Sequence, residues 1–442
     1  MADMAPRFPP EVWHIVCSYL DASSDIVNFR RACRAFADMG QPFALPSVVL
    51  YIHQGDFDHM RAVADHPVRS KYVHELEYVP HTFPEPSLTL ERFIHIYSHL
   101  QHVPYEVLIS GPLPSSDTEL QQNCSRYKDA VRQQGEILKN HQDVALLAEV
   151  IPKLIGLRRI LVSNCNWHRE GREGANTPFT DTVPKGFQPW DNLRPSGYRG
   201  AKAVLSALET CNSKLEVLEI GTVSWRIIDA LPSPDRLSSL TSLTLALDTV
   251  DDRSRIPNAE TLYTSTEVPK CREHFKLGGF RDFLAGLPNL ETLGIEFTYS
   301  NELPTLNYPA ELDDIIKPGH HWPNLRALNL GNVDMETEGL MGFLALHKDT
   351  LLRLELHDIR ITTSWLKLLP DINALLSLTQ ASVWGDLYGW QEATEDGEEM
   401  TEHWDLGDPS WCDDDPFSHK LGLYLVEGGT CPLKHANMSN TI

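Results

Sequence analysis

Few of the features that announce a membrane protein, a metalloprotein or an enzyme are present in this 442-residue chain. No apolar run approaches the roughly 18–20 residues that cross a bilayer. The opening residues Met1-Ala-Asp-Met-Ala-Pro-Arg7 carry no basic stretch followed by an apolar core, so a cytoplasmic and/or nuclear protein is expected. Eight cysteines are scattered at positions 17, 33, 124, 165, 211, 271, 412 and 431 with no Cys-x-x-Cys pair. That pattern reads as reduced, buried thiols rather than a disulfide framework or zinc site. There is no Gly-x-Ser-x-Gly elbow and no His-Glu-x-x-His. The pairs Gly278-Gly279 and Gly428-Gly429 stand alone, without a phosphate-loop lysine. His95, His99 and His102 share helical spacing, but no nearby carboxylate or cysteine completes a ligand set, and a polar helix face is expected there. Asp413-Asp-Asp415 lacks the alternating ligands of a calcium loop. The expectation is a non-catalytic chain with no cofactor and no metal.

Positive charge is also scarce. Thirty-eight Lys and Arg face 61 Asp and Glu, a net charge of −23. A phosphate backbone or an anionic membrane surface needs the opposite balance, so neither nucleic acid nor membrane is an expected partner. Much of the excess is local: Asp386–Asp415 holds twelve acids and no Lys or Arg, with Trp390, Trp404 and Trp411 among them. This acidic segment, 386–415, is expected to be a loop, either solvated, folded back on the chain or holding a basic partner peptide.

The densest signal lies near the front. Phe8-Pro9-Pro10-Glu11 suits a helix start, because proline has no N–H to leave unpaired and glutamate meets the positive end of the dipole. Val12, Ile15, Val16 and Tyr19 then recur at helical steps, and a second helix follows with Ile26, Phe29, Cys33 and Phe36. A hairpin this short buries little apolar surface unaided and needs something to lean on. The pattern Phe8-Pro9-x-Glu11, Ile15, Tyr19-Leu20, Asp25-Ile26, Phe29-Arg30, Cys33-Arg34 and Phe36 resembles an F-box, with Phe8 in place of the usual leucine. The resemblance implies docking onto the Skp adaptor, and through it a cullin–RING ubiquitin ligase. It assigns the contact to Phe8, Pro9, Val12, Ile15, Val16, Leu20, Ile26, Phe29 and Phe36.

Beyond residue 45 the recurrent element is Leu-x-x-Leu-x-Leu. Its best copies start at Leu215, Leu240, Leu290, Leu325 and Leu351, and weaker ones at Val73, Leu157 and Leu378. The shorter spacings match the 20–29-residue period of leucine-rich repeats. Helical stretches precede most copies: 144–154, 201–208, 280–287, 340–346 and 365–376. Two of the copies are entered through Leu287-Pro-Asn-Leu290 and Trp322-Pro-Asn-Leu325, where proline stops the helix. Stacked strand–helix units bury leucines that a single unit leaves exposed. A doubly wound α/β domain is the competing architecture.

With Tyr127–Leu138 and the tail Phe417–Leu433, this region resembles the leucine-rich-repeat F-box proteins of filamentous fungi. The expected fold class is α/β: an N-terminal helical F-box (1–45), a linker and helical section with an early irregular repeat (46–145), a leucine-rich-repeat-like solenoid with irregular insertions (146–435) and a tail (436–442).

Strand alternation places Arg159, Ser163, Glu219, Thr244, Glu296, Asn329, Arg353, Glu355, His357 and Trp384 on the sheet face opposite the leucines. Arg159, Glu219, Glu296, Asn329, Arg353, Glu355, His357 and Trp384 are the candidate substrate contacts. Segment 166–200 has four prolines and several glycines, no clear period, and is expected to be a long loop. The functional expectation is a substrate receptor of a Skp–cullin–F-box ligase binding a target protein. The alternative is a repeat-built interaction scaffold not coupled to ubiquitination.

Overall fold

A computed structural model of the chain describes residues 9–20, 23–43, 46–80, 82, 89, 117–163, 193–211, 214–249, 267–298, 308–391, 400–407 and 416–435. It is mixed α/β with a large parallel sheet, and the chain divides into two units, Met1–Leu215 and Glu216–Ile442. Phe8, the polar helix face expected at His95, His99 and His102, and Trp411 with Asp413–Asp415 lie outside the described residues.

The first unit opens with helices α1 (Pro10–Ser18), α2 (Ser23–Ala32) and α3 (Arg34–Met39). Parallel strands β1 (Ser47–Tyr51), β2 (Glu75–Val79) and β3 (Arg159–Val162) follow, with helix α4 (Gln54–Asp65) between the first two. Val48 pairs Leu76, which pairs Ile160, and Leu50 pairs Tyr78, which pairs Val162. All six are buried, because the side chains that share one sheet face are the apolar ones. Helix α5 (Asp117–Lys139) buries Cys124, Tyr127, Val131, Gln134 and Ile137, a stripe at three- and four-residue steps.

Helices α6 (Gln142–Val150) and α7 (Leu193–Thr210) pack on each other around a buried carboxylate. Asp143 is fully buried and takes a two-pronged ion pair from Arg199, one Arg199 Nη2–Oδ1 contact being 2.8 Å. The Tyr78 hydroxyl donates to Asp143 Oδ2 at 3.3 Å, and Arg199 also donates to the Leu138 carbonyl at 3.1 Å. The loop expected over 166–200 is therefore wrong at its end: residues 193–200 are helical. Arg199 earns its place in the helix through Asp143, a partner that no local pattern reveals. Removing one member of such a pair strands the other charge. Arg199→Ala is expected to cost roughly 3 kcal/mol in denaturant unfolding, and Lys202→Ala on the same helix well under 1 kcal/mol.

The second unit is built on six parallel strands in the order β4-β5-β6-β7-β9-β11. They are β4 (Val217–Ser224), β5 (Ser242–Asp248), β6 (Thr292–Thr298), β7 (Ala327–Gly331), β9 (Arg353–His357) and β11 (Gln380–Trp384). Every Leu-x-x-Leu-x-Leu copy of this unit supplies one. Helices α8 (Glu267–Lys276), α9 (Gly279–Ala285), the single turn α10 (Leu312–Ile315), α11 (Thr337–Leu346) and α12 (Trp365–Leu375) lie between strands in sequence. Their apolar faces and the strand leucines Leu218, Leu243, Leu293, Leu328 and Leu354 are buried together.

Three of the strands end in the same corner. Asn332, Asp358 and Gly385 take φ values of 57°, 51° and 74°. The left-handed region admits glycine freely and Asn or Asp at modest cost. Each corner is tied to a neighbour: Asn332 Nδ2 donates to the Phe297 carbonyl at 3.1 Å, and Asp358 Oδ1 accepts the Asp386 N–H at 2.9 Å. At position 385 a Cβ would lie 2.4 Å from that same Asp358 oxygen, so glycine is required twice over. The corners turn the chain into a second sheet, of order β13-β12-β10-β8: β8 (Asp334–Met335), β10 (Arg360–Ile361), β12 (Asp386–Gln391) and β13 (Met400–Asp405). Here the structure corrects the acidic loop expected over 386–415, because strands β12 and β13 form an antiparallel pair inside it. Their inward face carries Leu387, Glu402 and Trp404, all buried. Glu402 accepts the Trp365 N–H at 3.0 Å and the Trp404 indole N–H at 2.6 Å. Helix α13 (Pro416–Glu427) packs on β11, and Gly422 lets it approach: a Cβ there would sit 2.5 Å from the Ala381 carbonyl oxygen.

One buried imidazole pins the entry to β7. His347 donates from Nδ1 to the Phe343 carbonyl at 2.9 Å and accepts the Trp322 N–H on Nε2 at 3.0 Å, which requires the neutral ring. Burial, aided by His321 and His320, holds its pKa below the usual histidine range, with the bond to Phe343 opposing. The unfolded chain thus binds the extra proton first as pH falls below about 6.5, and stability drops from there toward the lower folded value. Thermal unfolding from pH 7.5 to 5.5 is expected to show a falling midpoint, with a shallower fall in His347→Gln.

Candidate functional site

Two surfaces gather the residues singled out by the sequence. The first is the N-terminal hairpin. Trp13 packs on Phe36 and Phe29 with ring centroids 4.6 and 6.0 Å apart, and Phe29 stacks on Phe36 at 4.4 Å. Cys17 and Ile26 are buried beside them. Arg30 donates to the Ala37 carbonyl and to Gln41 Oε1, tying α2 to the segment after α3. Three of the expected adaptor contacts are thereby reassigned. Ile26 is buried, and Phe29 and Phe36 are half-buried in the hairpin's own aromatic centre, because Trp13 gives their rings a partner within the module.

The opposite face of α1 is apolar and exposed. Val12 is 39% exposed, Ile15 57%, Val16 39% and Tyr19 77%, with Pro9 exposed ahead of them and Leu20 half-buried behind. These positions recur at i, i+3, i+4 and i+7, so they form one stripe along one side of the helix. Val27 on α2 adds a further exposed apolar side chain.

The second surface is the leucine-free face of the parallel strands. In the second unit the register brings Glu219, Thr244, Gly294, Asn329, Glu355 and Ser382 into one row across the sheet. A parallel row joins Ala246, Glu296, Gly331, His357 and Trp384. Arg353 lies one row back, exposed. Six of the expected contacts thus share this face with His357: Glu219, Glu296, Asn329, Arg353, Glu355 and Trp384. Arg159 belongs to the first unit, where it pairs with Glu75 at 3.2 Å.

His357 departs from expectation. It is only 3% exposed, because its ring lies flat between Gly331 and Trp384. The imidazole and indole are 4.1 Å apart and within 5° of parallel, and the Trp384 indole N–H donates to Glu355 Oε1 at 3.1 Å. The result is a fixed aromatic step at the last strand, with a carboxylate held against its edge. Next to Glu355 in the row, Asn329 Oδ1 is buried with no hydrogen-bond partner. Sequence reading missed the role of Gly331, whose absent side chain admits the ring.

Among the described residues no group of three or more His, Cys, Asp or Glu could hold a metal ion. No described helix is long and apolar enough to cross a membrane.

At Gly331 a Cβ would fall 2.0–2.1 Å from the His357 ring atoms, so Gly331→Ala must tilt the ring off its stack. Its cost is expected near 1 kcal/mol. The indole N–H resonance of Trp384 in a proton–nitrogen spectrum is expected to shift while the remaining indoles stay in place.

Compared with known proteins, the chain matches no family model and no curated protein.

Proposed function

We propose that this chain is the substrate-recognition subunit of a Skp–cullin–F-box ubiquitin ligase, with a leucine-rich-repeat solenoid as its target-binding part. The observation that carries the reading is the exposed stripe Val12, Ile15, Val16 and Tyr19 on a hairpin whose own centre is already filled by Trp13, Ile26, Phe29 and Phe36. Apolar side chains that are surplus to a module's own core favour burial by a partner, at about 25 cal/mol per Å² removed from water. The F-box resemblance of the same residues names that partner as a Skp-type adaptor. Strands that share one corner conformation 26 or 27 residues apart, each followed by a short second strand, support the repeat reading.

In this role the chain makes and breaks no bonds. It holds a target on the sheet face bearing Glu219, Glu296, Asn329, Arg353, Glu355 and Trp384, while the adaptor brings the ligase. Ubiquitin transfer then gains from effective concentration alone. The expected outcome is co-purification of the full chain with a Skp-type adaptor, abolished by Val12→Asp with Val16→Asp and retained by Arg353→Ala. Both variants should keep the parent's thermal midpoint within a few degrees. Adaptor binding that survives the double aspartate variant rules out this docking stripe.

A further inference from the structure

The outward face of the β12–β13 pair has its own chemistry, separate from the hairpin and from the leucine-free face. The register sets Asp386 opposite Asp405, Tyr388 opposite His403 and Trp390 opposite Thr401. Tyr388 and His403 stack face to face at 4.5 Å and within 8° of parallel, each covering one face of the other. Trp390 follows along the strand, 36% exposed. Its inward neighbours Leu387, Gly389, Glu402 and Trp404 fill the interior, so Trp390 is not needed there.

The two aspartates make this face unusual. Like charges directly across an antiparallel pair destabilise it. Asp386 accepts from His403 Nε2 at 2.9 Å and Asp405 accepts the Gly407 N–H at 3.0 Å. Among the described residues no Lys or Arg forms an ion pair with either carboxylate, and the sequence from 386 to 415 supplies none. The exposed Trp390 and the opposed carboxylates therefore favour a cation delivered from outside. Aromatic faces attract Lys and Arg, and carboxylates accept their N–H donors.

We propose that the outward face of β12–β13 docks a Lys/Arg-rich segment of a partner protein. A cationic side chain lies over Trp390, and a second bridges Asp386 and Asp405. Charge complementarity fixes the occupant: a chain of net charge −23, with twelve acids and no Lys or Arg in the sequence from 386 to 415, repels acidic partners. The inference stands apart from adaptor docking, since it uses no residue of the N-terminal hairpin.

The test uses the full chain alone and a fluorescein-labelled Lys/Arg peptide, followed by anisotropy at physiological ionic strength. There the screening length of about 8 Å removes most attraction to distant charge. Trp390→Ala, which leaves net charge unchanged, is expected to weaken binding about fivefold, and Trp390→Phe to restore most of it. Asp386→Asn with Asp405→Asn should weaken binding at least as much. Glu338→Gln with Asp349→Asn removes two exposed charges elsewhere and should change affinity less than about twofold. Should Trp390→Ala perturb folding, Trp390→Thr, a good strand former, gives the same reading. Equal binding by the Trp390 variants, or equal losses from the distant charge pair, overturns the proposal. Because no adaptor is present, that failure is distinct from failure of the ligase reading.

Discussion

A strand of this protein cannot keep its leucines dry by itself. Each carries an alternating pair, such as Leu218 and Ile220 or Leu354 and Leu356, that is buried only because neighbouring strands bring their own pairs into register and helices cover that side. Parallel pairing is thus a packing requirement before it is a hydrogen-bond pattern. It also dictates what is left over: the residues between the leucines form continuous rows on the other face. The rows that join Glu219 to Ser382 and Ala246 to Trp384 are consequences of that alternation.

The same requirement explains the ends of the strands. A chain leaving one strand must turn sharply to let the next helix return, and the left-handed corners at Asn332, Asp358 and Gly385 accomplish this. Asn332 bonds back to β6 and Asp358 forward to the start of β12, so these corners also tie neighbouring strands together. The short second sheet grows from these corners. At the last one it widens into the β12–β13 pair, whose buried Glu402 is held by two N–H donors. Acidic residues there serve two purposes, one inside as a bonded acceptor and others outside as exposed charge.

How much of this was legible depended on whether the cause was local. All eight Leu-x-x-Leu-x-Leu copies became strands, since period-two alternation and burial on one side are written in consecutive residues. Strand β1 fits the same pattern as Leu45-x-x-Val48-x-Leu50, a copy that the sequence reading does not count because valine replaces the middle leucine. The two-residue strands β8 and β10 exist only through their neighbours in the ladder. Residues 193–200 read as loop because Pro195 and two glycines dominate them, whereas the helix is stabilised by Arg199 reaching Asp143 56 positions earlier. His357 was assigned to an exposed face because strand alternation is blind to a missing side chain on the adjacent strand. In the N-terminal hairpin the sequence distinguished apolar from polar, but not the side chains that face Trp13 from those that face outward.

The central claim is the proposal that an adaptor covers the apolar stripe exposed on the hairpin at residues 9–43. Amide hydrogen exchange on the full chain, with and without a Skp-type adaptor, tests it most directly. The account predicts slowed exchange confined to α1 and α2 when the adaptor is added, with residues 216–249 unchanged. Unaltered exchange across 9–43 at saturating adaptor, or protection appearing only in the parallel strands, would contradict it.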